Sequence, residues 1–282
     1  MREDIISSPI LYDFMLEKTN HKNPPKDVIN ALVSLYNQGE GEQILSKYNK
    51  LIQTYTNSPE INMIFGTIHL QLNQMDKSIR YFRKATRLEP NNANAHNDLG
   101  SAFLLQGKYK SATKSFYKAI EINKNFSEAY YNLGKIYLSL KKYDSANSYF
   151  KKSNELNPKN KDAIFQVAKI SFERDNYYEA LKHFEKHFSS NPKCTDSIGY
   201  IVRILFKIGE YQTAFGFIKD GLTVNPECEE LFNLYAQGLA TCGNIKLAIM
   251  VLKKALKANK LNVESKIESY KMIKPIPFSY WI

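Results

Sequence analysis

Apolar positions along residues 25–262 recur in two helical phases within every 34 residues. In one copy His96, Leu99, Gly100 and Phe103 lie three and four apart, and after a break Ala112, Phe116 and Ala119 do the same. That spacing puts side chains on one helix face, so each copy predicts two amphipathic helices joined by a short turn. Phe82, Phe116, Phe150 and Phe184 mark the period. Ala95-His96-Asn97-Asp98-Leu99-Gly100 returns as Ala129-Tyr130-Tyr131-Asn132-Leu133-Gly134. Gly39, Gly107, Gly209 and Gly243 fall between the two helices, where a left-handed backbone suits glycine. Pro90 and Pro158 stand where the second helix must stop. No helix pair can bury its apolar face alone, so the copies must fold as a stack.

Seven copies fit one register without a gap, beginning at Pro25, Pro59, Ala93, Ser127, Lys161, Thr195 and Glu229. The pattern has a large residue at position 4, Leu-Gly at 7 and 8, an aromatic at 11, Ala at 20, Phe at 24, Ala at 27 and Pro at 32. It resembles the tetratricopeptide repeat. The resemblance implies an all-α fold, a right-handed α-solenoid of about seven helix pairs with capping helices. Small residues at 8 and 20 are expected to let the helices approach, and the bulky residue at 24 to fill the gap between successive repeats. Val202 at position 8 and His187 at position 27 are expected to widen the packing locally. The Asn-rich first helices are similar to the arrays preceding O-linked N-acetylglucosamine transferases. The Pro24-Pro25-Lys26-Asp27 opening is similar to that of bacterial sulfotransferase fusions. Neither family's catalytic portion is present.

Three segments follow from the register: an N-terminal segment, 1–24; the array, 25–262; and a closing segment, 263–282. Ser8-Pro9 followed by Ile10, Leu11, Phe14 and Met15 predicts a capped short helix. Val263 to Ile273 predicts a helix covering the open end of the stack. Beyond it Pro275 and Pro277 forbid helix, and the apolar tail holds the single tryptophan, Trp281. Such a tail needs a docking place: on the array, in a neighbour's groove (self-association), or as the start of a further domain beyond Ile282.

Composition narrows the function classes. Cys194, Cys228 and Cys242 are too few for a disulfide framework and point to a reducing compartment. Cys194 and Cys228 occupy equivalent places in adjacent repeats, about 10 Å apart, too far to bridge without movement. Burial or inertness is expected for all three cysteines. No secretory signal or bilayer-spanning apolar run is visible, so a cytoplasmic protein without a membrane span is expected. Lys and Arg total 39 against 28 Asp and Glu, a net charge of +11. A basic balance suits acidic partners, but no nucleic-acid motif accompanies Lys253, Lys254, Lys257 and Lys260, so nucleic acid is not the expected partner. There is no Gly-rich phosphate loop, and neither catalysis nor a cofactor is expected. His183 and His187 have a zinc-compatible spacing, yet Glu185 sits at the wrong place for a metalloprotease motif and His187 takes a packing position. A structural role is expected, with no metal site.

The resemblance places a partner on the inner face, lined by first-helix positions 2, 5, 6, 9 and 13. The candidate peptide-binding residues are Asn97, Asp98, Tyr131, Asn132, Lys135, Phe165, Gln166, Lys169, Tyr200, Arg203, Asn233 and Gln237. Amides can bond both donor and acceptor of a peptide backbone. Tyr131, Phe165 and Tyr200 offer apolar area. Lys135, Lys169, Arg203 and Lys207 form a basic stripe for an acidic partner. Of the carboxylate clamp found in chaperone adaptors, only Asn132 matches. The expected function is a non-enzymatic protein–protein interaction scaffold holding a peptide or protein segment in a concave groove. The alternative is the substrate-recruiting module of a larger transferase.

Overall fold

The computed structural model describes residues 24–257 apart from Tyr48 and Lys193. The helix expected near Ser8, the capping helix of 263–273 and the apolar tail lie outside the described residues. The chain divides into two compact units, one running to Asn157 and the other from Pro158. The 34-residue register runs through both.

The first unit holds α1 (Lys26–Asn37), the helical segments α2 (Gly41–Lys47) and α3 (Asn49–Thr54), α4 (Pro59–Gln71), α5 (Met75–Leu88), α6 (Ala93–Leu105), α7 (Tyr109–Ile122), α8 (Ser127–Ser139) and α9 (Tyr143–Leu156). The second holds α10 (Lys161–Glu173), α11 (Tyr177–Ser190), α12 (Thr195–Lys207), α13 (Tyr211–Val224), α14 (Glu229–Thr241) and α15 (Ile245–Lys257). All regular structure among the described residues is helical, so the fold is the all-α tetratricopeptide solenoid class. No helix among them is long and apolar enough to cross a membrane.

Three of the first helices, α4, α6 and α10, begin on polar caps. Ser58 accepts from the Ile61 amide with Pro59 in the first turn, and Asn92 accepts from the Ala95 amide. The turn between paired helices needs one left-handed residue. Gly39, Gly107, Gly209 and Gly243 supply it at φ 73–85°. At the same position Asn73, Lys141 and Asp175 adopt φ 56–59° despite their side chains.

The core differs from expectation in one respect. A Cβ on Gly66, Gly100 or Gly134 would lie 2.6 Å from the ring of Phe82, Phe116 or Phe150 respectively. The glycine at position 8 therefore makes a socket for the phenylalanine at position 24 of its own repeat. In the second unit the same two positions hold Ala168 with Phe184, Val202 with Ile218 and Ala236 with Leu252, all buried. The α12–α13 pair, which holds Val202, has its backbones less closely apposed than the glycine-bearing pairs of the first unit, in line with the expected widening.

Candidate binding faces on the first helices

In the first unit, α6 and α8 bring Asn97 and Asn132 together across one repeat step. Asn132 Nδ2 donates to Asn97 Oδ1 at 3.2 Å and reaches Ser101 Oγ at 3.5 Å. Asn97 Nδ2 in turn reaches Asp98 Oδ1 at 3.5 Å. Burial raises the Asp98 carboxyl to about 6, and Glu128 pushes the same way while the Asn97 bond opposes both. Asn132 Oδ1 accepts no bond from any described side chain or amide. Tyr131 lays its ring 5.4 Å from that of Phe150, and Lys135 Nζ stands 5.9 Å over Tyr131.

In the second unit the same register carries aromatics and cations. Tyr200 stacks on Phe184 with ring centres 4.7 Å apart and takes the edges of Phe165 at 5.9 Å and Phe172 at 5.3 Å. Lys169 and Arg203 stand 5.9 Å and 5.6 Å over Tyr200. Gln166 is half-buried beside Phe165 on α10. Arg203 Nη2 pairs with Glu230 Oε1 at 2.8 Å. Glu230 reaches over Gly199, where a Cβ would lie 2.6 Å from that oxygen. Arg203, Glu230, Asn233 and Gln237 line an open cavity of about 510 Å³. Asn233 Oδ1 is buried there without a partner.

Of the expected basic stripe, Arg203 pairs with Glu230, Lys169 shares the Tyr200 ring with it, and Lys207 lies over Tyr177 at 5.8 Å. Lys135 belongs to the other unit. Glu230 was missed because its register position, 2 in the last copy, had been given no charged role.

His187 is buried. Its Nδ1 lies 2.7 Å from Ser197 Oγ, its ring packs 5.1 Å from Phe165, and burial lowers its pKa. His183 instead points to Glu179 Oε1 at 3.6 Å. Among the described residues no three His, Cys, Asp or Glu side chains converge on a metal position. Cys194 and Cys228 are half-buried, and Cys242 is exposed just after α14.

The family model for the TPR repeat matches residues 66–107 and 100–141, and that for the tetratricopeptide repeat matches 127–160. Residues 66–160 are thus tetratricopeptide repeats, and the fold of the chain is that of tetratricopeptide-repeat proteins. No curated protein sequence matches it. Solved structures similar in fold include PilF of Pseudomonas aeruginosa, at TM-score 0.64 and 20% identity over 76% of this chain and 95% of that one. A tetratricopeptide-repeat protein from Parabacteroides merdae gives 0.59 and 18% over 87% and 96%. YrrB, a tetratricopeptide-repeat protein with an unusual peptide-binding site, gives 0.52 and 19% over 66% and 95%. Tetratricopeptide repeats serve generally as protein–protein interaction modules, typically without catalysis, and this chain is of that general class.

Proposed function

We propose that the chain is an interaction scaffold that holds a peptide or extended protein segment on its first-helix faces. The observation that carries this reading is the Asn97–Asn132 pair. Two amides one repeat apart are held by each other, and Asn132 Oδ1 still has acceptor capacity. A pre-oriented amide can bond a peptide N–H with little ordering penalty. Tyr200, propped by Phe184 and flanked by Lys169 and Arg203, supplies a rigid anchor surface in the second unit. YrrB, which shares the fold and has an unusual peptide-binding site, supports this use of it.

Peptides selected from a random displayed library on the intact chain test the reading. Asn132→Ala combined with Tyr131→Ala should weaken the selected peptides about tenfold or more, the scale of losing one or two anchoring contacts. Far-ultraviolet circular dichroism should stay unchanged. Full binding by that folded variant sinks the reading for the first unit.

A further inference from the structure

The second helices of the first unit are strongly cationic. Helix α5 carries Lys77, Arg80, Arg83, Lys84 and Arg87 against Asp76 alone, and α7 carries Lys110, Lys114 and Lys118 against Glu121. Lys118 pairs with Glu121 at 2.8 Å. Among the described residues no carboxylate pairs with Lys77, Arg80, Lys110 or Lys114.

These charges rim two open cavities that repeat one register step apart. The first, of about 570 Å³, has Phe65 and His69 of α4 as its floor, Leu45 of α2 on one side and Lys77, Arg80 and Lys84 of α5 on the other. The second, of about 760 Å³, has Leu99 and Phe103 of α6 as its floor, Arg83 of α5 on one side and Lys110 and Lys114 of α7 on the other. Arg83 lies 5.4 Å over the Phe103 ring. At the next step the equivalent place is filled. Tyr137 of α8 stacks on Tyr149 of α9 at 5.1 Å, and the Tyr117 hydroxyl of α7 lies 2.7 Å from that of Tyr149 and 3.3 Å from that of Tyr137. The groove is thus open over two repeats and closed by tyrosine over the third.

We propose that this groove is a second docking surface for an acidic protein segment bearing large apolar side chains. It lies on a different side of α6 from Asn97, since positions 96, 99 and 103 project about 100–160° round the helix from 97 at 3.6 residues per turn. Charge complementarity selects the acidic residues, and the apolar floors select the side chains between them. Successive repeats stand about 10 Å apart, and a polyproline II chain, with three residues per turn and about 3.1 Å per residue, keeps side chains three residues apart on one face, so two of them would reach both cavities. A nucleic acid would gain the cations but not the floors. The only stacked aromatic pair lining either cavity, His69 and Tyr81, is already occupied by itself at 5.2 Å.

The test uses the full chain and a fluorescein-labelled peptide of about twelve residues, Asp and Glu throughout with leucine at every third place. Its companions are the same peptide with serine for leucine and an oligothymidylate of equal charge. Fluorescence anisotropy should show the leucine peptide bound. Arg80→Glu with Lys114→Glu, both on exposed side chains, should weaken it about tenfold or more, as expected for removal of unscreened rim charge. Asn132→Ala, and Lys219→Glu in the second unit, should leave it unchanged, so this surface can fail without the Asn97–Asn132 reading failing, and the reverse. Equal binding of the serine peptide, tighter binding of the oligothymidylate, or wild-type affinity in the double reversal each overturns the proposal.

Discussion

The α6–α8 face and the α10–α12 face occupy the same register and carry different chemistry. The first is two amides and a half-buried carboxyl, linked by bonds of 3.2 and 3.5 Å, beside one ring, Tyr131, under Lys135. The second is a ring stack under two cations, one of them neutralised by Glu230. Beneath both faces the position 8 and position 24 residues stay in the core, from glycine with phenylalanine to valine with isoleucine. The contrast separates two kinds of constraint. Close packing ties the core pair together, whereas the solvent side of the same helix is free to take whatever a partner requires.

The largest effect should come from imposing the second unit's pair on the first. Gly134→Val puts branched carbons into the Phe150 ring and should destabilise the chain by about 3 kcal/mol. Adding Phe150→Ile, to copy Val202 with Ile218, should return a good part of it. Urea unfolding of both variants reads this, and no recovery in the double variant would show the pairing to be incidental. Next, Tyr200→Ala should cost about 2 kcal/mol through lost ring contacts, while Tyr200→Phe should be nearly neutral; equal losses would mean that the hydroxyl, not the stack, matters.

The carboxyl in the amide cluster gives a smaller effect of opposite sign. Asp98 titrates near 6 in the folded chain, above the ordinary aspartate range. Between roughly pH 4 and 6 the folded state therefore holds more protons than the unfolded one, so stability falls as pH rises through that window and is level above it. Asp98→Asn should be more stable than wild type by about 1–2 kcal/mol at pH 7, with the gap closing near pH 4. A gap constant with pH would remove the ionisation argument. The smallest effect should come from Lys141→Gly, which relieves a left-handed lysine and should gain about 0.5 kcal/mol; thermal melting should show the same for Asp175→Gly and no gain at Gly107.

Most of the fold was legible because solenoid packing writes its period into the chain. Four of the seven left-handed turn positions announce themselves as glycine, and His187 was recognisable as a packing residue from its place in the register. Asn73, Lys141 and Asp175 could not be read the same way, since an αL conformation forced by the closing turn leaves no mark on a side chain that tolerates it. Of the candidate site, the positions came from the register but the partnerships did not. The Arg203–Glu230 ion pair joins residues 27 apart, and the tyrosine plug joins three helices. Neither has a spacing that recurs along the chain, so neither produces a periodic signal.

The socket at position 8 and the ring that fills it lie within the same 34 residues. A repeat copied or excised whole takes both halves of that fit with it, so the array can change length as a string of interchangeable cassettes. The ion pair between Arg203 and Glu230 spans a cassette boundary and would be severed by such an event. Lineages that gain or lose a repeat should therefore keep their cores for nothing and have to reinvent the surfaces that meet their partners.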